Sequence, residues 1–306
     1  MPIITNAHTH LELSDLARLC PASPQPFFAW LRRLVWALLW RRPKDVAAAV
    51  ERGIAELRAC GTTHVGDVTA TGQSVAPLLA SGLHGIVYLE VAGLALKPAL
   101  ARLRRAQARI AQARAAPDYG RMQVGLSLHA PYSCHPDLLR QGAAWCRAEK
   151  IPLCIHVAES QAEADWLCKG SLSSLSGPET LLARGLGLRP ARSPGQRPIP
   201  YLASLGVLDA RPLLVHAIHV TGDEIRQIAG AGCAVAHCPR SNQRLSCGRL
   251  PLERYLAAGV PVYLGTDSRA SSPSLDVRDE AACAQALHAG RVAPHQIRPL
   301  LHRTLP

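Results

Sequence analysis

The sequence predicts an α/β protein built as a (β/α)8 TIM barrel, and three observations lead there. Short runs rich in Val, Ile and Leu alternate with longer stretches of helical period, the pattern of βα units around a parallel sheet. Eight such runs are present, at 3–8, 63–68, 84–91, 122–129, 152–157, 212–217, 232–237 and 260–266. Polar, metal-competent side chains recur at the ends of these runs, where a barrel of parallel strands carries its chemistry. Eight repeats within 306 residues fit a closed barrel better than a doubly wound open sheet.

The elements follow in chain order. The first run, Pro2-Ile3-Ile4 onward, ends in NAHTHLELS, residues 6–14. On a strand, His8 and His10 share one face and stand close enough to share an ion. Next comes FFAWLRRLVWALLWRR, residues 27–42, which Arg32 and Arg33 interrupt well short of the roughly 20 apolar residues a membrane span needs. It is expected as an amphipathic helix covering part of the protein, with a membrane-surface anchor as the second reading. Helices are expected over 45–60, 98–116, 136–150, 222–230 and 252–258, with Gly or Pro at most junctions. A Ser/Pro/Gly-rich stretch, 169–200, exceeds an ordinary βα loop and is expected as an insertion on the active-site side, acting as a lid. No solenoid-type repeat is present. Residues 1–306 are therefore expected to form one barrel carrying that insertion.

Composition narrows the function. Charged residues make up 18% and apolar residues 48%, a globular balance. The net charge of +12 comes largely from arginines scattered along helical faces, such as Arg102, Arg104, Arg105, Arg109 and Arg114, without interleaved aromatics. That reads as solvated helix surface, not as a nucleic-acid footprint. Ten cysteines are dispersed with no Cys-x-x-Cys pair, and Cys154, Cys233 and Cys238 fall in apolar runs. Reduced, buried thiols are expected, and with no cleavable signal at the start the expected location is cytoplasmic.

The chemistry lies at the strand ends. Strand one ends in His8 and His10, strand four in LHAPYS with His129, and strand five in CIHVAES with His156 and Glu159. Strand six is LLVHAIH with His216, strand seven ends in HCPRSN with His237, and strand eight in LGTDS with Asp267. Each alone reads equally well as a core histidine or an N-cap aspartate. Six strand ends sharing the habit do not. Neutral imidazoles with a carboxylate suit one divalent ion, zinc first and iron second, with a position open for water. His8, His10, His156 and Asp267 would hold it, and such an ion acidifies water toward neutral pH. Glu159 lies three residues past His156, so it reaches the same pocket only if the strand stops near Val157 and the chain turns. In that position it is a candidate general acid/base.

The ordered set HTH, HAPYS, HVAES, VHAIH, HCPRSN and GTDS resembles the amidohydrolase superfamily, in its mononuclear deaminase and chlorohydrolase branch. The resemblance runs through nearly the whole chain. It implies metal ligands at His8, His10, His156 and Asp267, proton transfer at Glu159, and a catalytic His216 that hydrogen-bonds the attacking water or the substrate. Asp267 is implied in catalysis as well as in metal binding. His129, Ser241, Asn242 and His237 are implied as substrate-side contacts. NAHTHLELS followed by FFAWL is further similar to the aminodeoxyfutalosine deaminases of the alternative menaquinone pathway. Members of the branch usually carry a flanking β-sandwich that this sequence leaves no room for, so a barrel-only variant or a fragment is expected.

The function implied is hydrolytic release of ammonia from an aminated purine-like ring. Alternatives within the branch are S-adenosylhomocysteine or methylthioadenosine deamination and triazine-type dechlorination; outside it, an inactive truncated barrel. The expected partner is a small-molecule substrate, with no nucleic acid and no membrane span, and a homodimer is allowed. A nucleic-acid deaminase of the Pro-Cys-x-x-Cys type is excluded, since no such cysteine pair exists here.

Overall fold

A computed structural model describes residues 2–115, 120–170 and 193–306. Eight strands form one parallel sheet in the order β1 to β8: Thr5–Thr9, His64–Thr69, His84–Val91, Met122–Leu128, Leu153–Val157, Leu213–His216, Ala234–His237 and Val262–Leu264. All eight runs read from the sequence are strands, with ends that differ by at most two residues. Helices alternate with them, at Pro43–Ala59, Leu96–Arg114, Pro136–Glu149, Gly222–Ala231 and Leu252–Ala257 where the periodicity placed them. This is the (β/α)8 barrel.

Side-chain alternation divides the core into two layers. Val68, Ile86, Tyr88, Cys154, Val215, Ala236 and Tyr263 fill the lumen. Their neighbours Val65, Val87, Val124, Ile155, Leu214, Val235 and Val262 face outward and pack under the helices. Cys154, Cys233 and Cys238 are buried, and all ten cysteines are free thiols.

The ring is irregular at β1, the strand that matters most for the site. Its ladder with β2 pairs Asn6 with Val65 but Thr9 with Asp67, so three steps on one strand oppose two on the other. The extra residue is a bulge around Ala7 and His8, and a bulge re-aims side chains. Ala7 joins the lumen layer, and the very next residue, His8, also faces inward among the other strand-end histidines. On the other side β1 meets β8 through one bridge, Thr9 with Asp267, and the Asp267 N–H donates to His8 O at 2.9 Å. The Asn6 side chain completes this seam, accepting from Thr266 N at 3.0 Å and donating to Thr266 Oγ1 at 2.9 Å.

Two glycines permit this approach. A Cβ on Gly66 of β2 would lie 2.2 Å from Ala7 O, and one on Gly265 would lie 2.8 Å from both His8 N and His8 Cβ. Any side chain at either place would push β1 away from its neighbours.

The segment after β1 returns over the same end of the barrel as helix α1, Phe27–Leu39. Phe27, Trp30 and Leu34 pack on Ile218, Leu245 and Ala270, residues that follow β6, β7 and β8. Trp30 Nε1 donates to Ala270 O at 2.8 Å and fixes the contact. The helix thus covers part of the protein, as its sequence leads one to expect. No helix among the described residues is long and apolar enough to cross a membrane. Of the expected insertion at 169–200, residues 171–192 lie outside the described residues, as does any lid there. At its far edge Ser193 Oγ donates to Leu167 O at 2.8 Å, and a helix begins at Pro198.

Replacing Gly265 by Ala should destabilise the protein by about 1–3 kcal/mol, as overpacking of a tight contact does, and should also weaken metal binding because His8 is the residue displaced. Thermal unfolding with and without added zinc checks both. An unchanged midpoint and unchanged zinc dependence would show that the seam tolerates a side chain.

Candidate active site and metal centre

The C-terminal ends of β1, β5 and β8 bring four donor groups together. His8 and His10 ring centroids stand 4.8 Å apart, and that of His156 on β5 lies 4.9 Å from His8 and 5.4 Å from His10. His156 points inward by simple alternation from Cys154 in the lumen layer. Its Nδ1 donates to His129 O at 2.9 Å, so in the neutral ring the lone pair is on Nε2, 3.3 Å from His8 Nε2. Asp267 Oδ1 lies 3.8 Å from His8 Nε2 and 3.6 Å from His10 Nε2.

These spacings are those of atoms sharing one ion. Ligand bonds of about 2.0–2.2 Å in tetrahedral geometry put neighbouring donor atoms roughly 3.3–3.5 Å apart. Three imidazoles and a carboxylate are also the donor types that zinc and iron take. Burial first, then the other imidazoles, lowers the pKa of His8 and His156 well below the usual range, so both rings are neutral and able to coordinate. Asp267 is held from behind: Oδ2 accepts from Ser241 Oγ at 2.7 Å and Ser271 Oγ at 3.0 Å, and Oδ1 from Ser268 N at 2.7 Å. The residues present therefore fit a single divalent ion.

A second group adjoins the first. Strand β5 ends at Val157, and Ala158 takes a left-handed backbone with φ 51°, which turns Glu159 into the pocket. Glu159 Oε1 lies 3.4 Å from His216 Nε2, and donor atoms of Glu159, His216 and Asp267 lie within 4.8 Å of one another. His216 reaches this place through an unusual backbone. Leu213 and Val215 face the lumen, so alternation would send His216 outward, but φ is 69° at His216 and 47° at Ala217. Asp267 has φ 60°, giving four non-glycine residues in the left-handed region at these strand ends. Such conformations cost of the order of 1–3 kcal/mol each and gather at functional sites. Burial, followed by the nearby Asp267 and Glu163 carboxylates, pushes the Glu159 pKa well up. A carboxyl group shifted upward in this way is suited to exchanging a proton.

Three sequence expectations need correction. His237 is not in the pocket: it follows Val235 on the outer face of β7, and its Nε2 lies 3.2 Å from His288 Nε2 under the helix Val277–Leu287. Ser241 and Asn242 are fully buried, and their side chains are turned onto site residues. Ser241 Oγ is used on Asp267, and Asn242 Oδ1 accepts from His216 Nδ1 at 2.9 Å. Both orient the groups in front of them. His129 does stand at the pocket, its ring 5.4 Å from His156, with Nδ1 2.5 Å from Ser133 Oγ and its pKa pushed down to about 4 by burial.

Two further residues were not singled out in the sequence. Glu163 accepts from the N–H groups of Ala158 and Glu159 at 3.0 and 2.9 Å, clamping the turn that carries Glu159. Its signal was present: Ser160 followed three residues later by Glu163 is a capping pattern, and Ser160 Oγ accepts from Glu163 N. Glu90 on β3 lies with His129 and His156, its donor atom within 4.8 Å of theirs. No donor among the described residues hydrogen-bonds its carboxylate. Inward alternation with Ile86 and Tyr88 would have found it.

Residues 1–299 match the amidohydrolase family, and the chain belongs to it. It is 37% identical to the aminodeoxyfutalosine deaminase of Deinococcus radiodurans, across 94% of this chain and 68% of that protein. It is 31% identical to a 5-methylthioadenosine/S-adenosylhomocysteine deaminase of Haloquadratum walsbyi, across 94% of this chain and 60% of that one. Among solved structures, an adenosine deaminase from Xanthomonas campestris with bound zinc superposes with a TM-score of 0.76 at 26% identity, over 94% of this chain and 61% of the other. The chain thus spans roughly two thirds or less of the length of these relatives.

Replacing Ser241 by Ala should lower zinc affinity about 10–100-fold, the usual loss when a group orienting a ligand is removed. Competition with a chromophoric chelator measures it. Unchanged affinity would show that Ser271 and Ser268 alone hold Asp267.

Proposed function

We propose that this chain is the catalytic barrel of a hydrolytic deaminase acting on an aminated purine-type ring, with aminodeoxyfutalosine as substrate. The barrel unit is residues 1–306 with an insertion at 169–200. The observation that carries the reading is the placement of Glu159, beside His216 and Asp267 and next to the three histidines that fit an ion. Identity of 37% to an aminodeoxyfutalosine deaminase supports the substrate. The 31% identity to a methylthioadenosine/S-adenosylhomocysteine deaminase supports that class as the second reading.

In this scheme His8, His10, His156 and Asp267 would hold one divalent ion, zinc before iron, which would supply the Lewis acidity that makes water nucleophilic near neutral pH. Glu159 takes a proton from the attacking water and delivers it to the ring nitrogen next to the amine-bearing carbon. Oxygen adds to that carbon, the carbon–nitrogen bond breaks, and ammonia leaves with the second proton. His216 faces the same oxygen. Asn242 occupies its Nδ1, so Nε2 is the atom presented to the reaction. His129, at the pocket rim, contacts the ring. Ser241 and Ser271 fix the Asp267 carboxylate so that it does not swing as charge develops.

Glu159→Gln preserves shape and removes the exchangeable proton, so turnover should fall at least about 10²–10⁴-fold while metal content stays unchanged. Loss of metal would make Glu159 a ligand, and near-normal turnover would assign the proton transfer to another group.

Ammonia release from aminodeoxyfutalosine, S-adenosylhomocysteine, methylthioadenosine and guanine should rank aminodeoxyfutalosine first by kcat/KM. Release from none of them by the zinc-loaded protein would favour an inactive barrel.

A further inference from the structure

Helix α1 has a second face that the barrel does not use. Past Leu34 its end carries Trp36, Leu38, Leu39 and Trp40, which are 64%, 40%, 67% and 73% exposed. They are the large apolar side chains most open to solvent among the described residues. The Trp36 and Trp40 rings pack edge to face, with centroids 6.0 Å apart, one turn along the helix. An open groove of about 730 Å³ runs beside them, lined by Arg18, Arg32, Arg33, Trp36, Leu39 and Trp40.

Charge identifies what suits this surface. Between Asp15 and Asp45 the sequence contains no acidic residue and six basic ones: Arg18, Arg32, Arg33, Arg41, Arg42 and Lys44. Arg41 is paired with Asp15 at 2.7 Å and Arg42 with Asp45 at 3.0 Å. Arg18, Arg32 and Arg33 are exposed and form no ion pair with any of the described residues. A symmetric contact with a second copy would set this unpaired basic rim against itself, since a two-fold interface presents the same patch on both sides. The complementary surface is both apolar and anionic. Tryptophan rings at the boundary with arginines reaching outward are the composition of helices that lie in the headgroup layer.

We propose that the end of α1, with Trp36, Leu39 and Trp40 inserted and Arg18, Arg32 and Arg33 on the headgroups, docks reversibly on an anionic phospholipid membrane. One short apolar patch with a few cations gives weak, salt-sensitive attachment and no stable anchoring. The docking is independent of the deaminase reading, because none of these residues belongs to the metal or proton-transfer groups.

Co-sedimentation of the full chain with vesicles of phosphatidylcholine alone, and with about one third phosphatidylglycerol, tests it. Each arginine near an anionic surface contributes about a fivefold gain in partitioning, so the anionic vesicles should bind the protein ten- to a hundredfold better. Raised salt should reverse the binding. Trp36→Ser with Trp40→Ser should abolish it, and Arg32→Gln with Arg33→Gln should reduce it at least tenfold, all with unchanged thermal midpoints because these side chains are exposed. Equal binding to both vesicle types, binding by the tryptophan variant, or no binding by the parent protein overturns the proposal. So does a dimer in sedimentation velocity that the tryptophan variant dissociates, which would assign the patch to a second copy.

Discussion

The close approach of β1 to both of its neighbours is the constraint on which the site depends. A regular strand would give His8 and His10 to the lumen only at the expense of Ala7. The bulge lets Ala7 fill the barrel while the following residue enters the site. The approach is possible because Gly66 and Gly265 have no Cβ, and it is fixed by Asn6 bridging to Thr266. That bridge brings the Asp267 N–H onto His8 O, so the carboxylate and the imidazoles that face one another are joined through the backbone as well. One short stretch of packing thus decides barrel closure and donor spacing together.

Strain is concentrated on the same face. Ala158, His216, Ala217 and Asp267 all have positive φ, and two of the four carry groups of the site. These conformations are held by contacts around them. The Ala217 N–H donates to Val157 O at 2.9 Å, Glu163 clamps the Ala158 turn, and Asn242 holds the His216 ring. Glu163 pays with an unfavourable burial, its pKa raised to about 7, for the rigidity it gives to the turn. Removing support here would relax a backbone that the ordered sheet below does not otherwise need.

Much of this was legible in the sequence because strand ends leave a chemical trace. His8, His10, His156, His216, Glu159 and Asp267 were singled out from residue type at the ends of apolar runs, and the structure places them in two adjoining groups, His8 with His10 and His156, and Glu159 with His216 and Asp267. The misreadings share a cause. His237 ends a strand like the others, yet β7 continues in plain alternation and leaves it outside, whereas at His216 a left-handed backbone reverses the same parity. Sequence does not display that reversal, since neither residue is a glycine. Ser241 and Asn242 were near the pocket in sequence terms but lie one layer deeper, where the Ser241 hydroxyl and the Asn242 amide oxygen bond site residues. Glu90 was overlooked because it sits just inside the end of a mostly apolar run, not beyond it. The helix starts read at Pro136 and Gly222 coincide with the observed ones, whereas Pro98 falls inside a helix that begins at Leu96.

The packing of four imidazoles has a consequence for how this protein experiences acid. The rings of His8, His10, His156 and His216 lie 4.8–5.9 Å apart, close enough that protons and a metal ion compete for the same lone pairs. In the unfolded chain the histidines protonate near their ordinary pKa of about 6.5, whereas His8, His156 and His216 resist protonation when folded. The unfolded state therefore takes up more protons as pH falls below that value, and the fold loses stability in that range. Any cation that occupies the cluster is expelled by the same protons. Acidification would thus both weaken cation binding at the centre and lower the stability of the barrel, so that the two respond to the same protons.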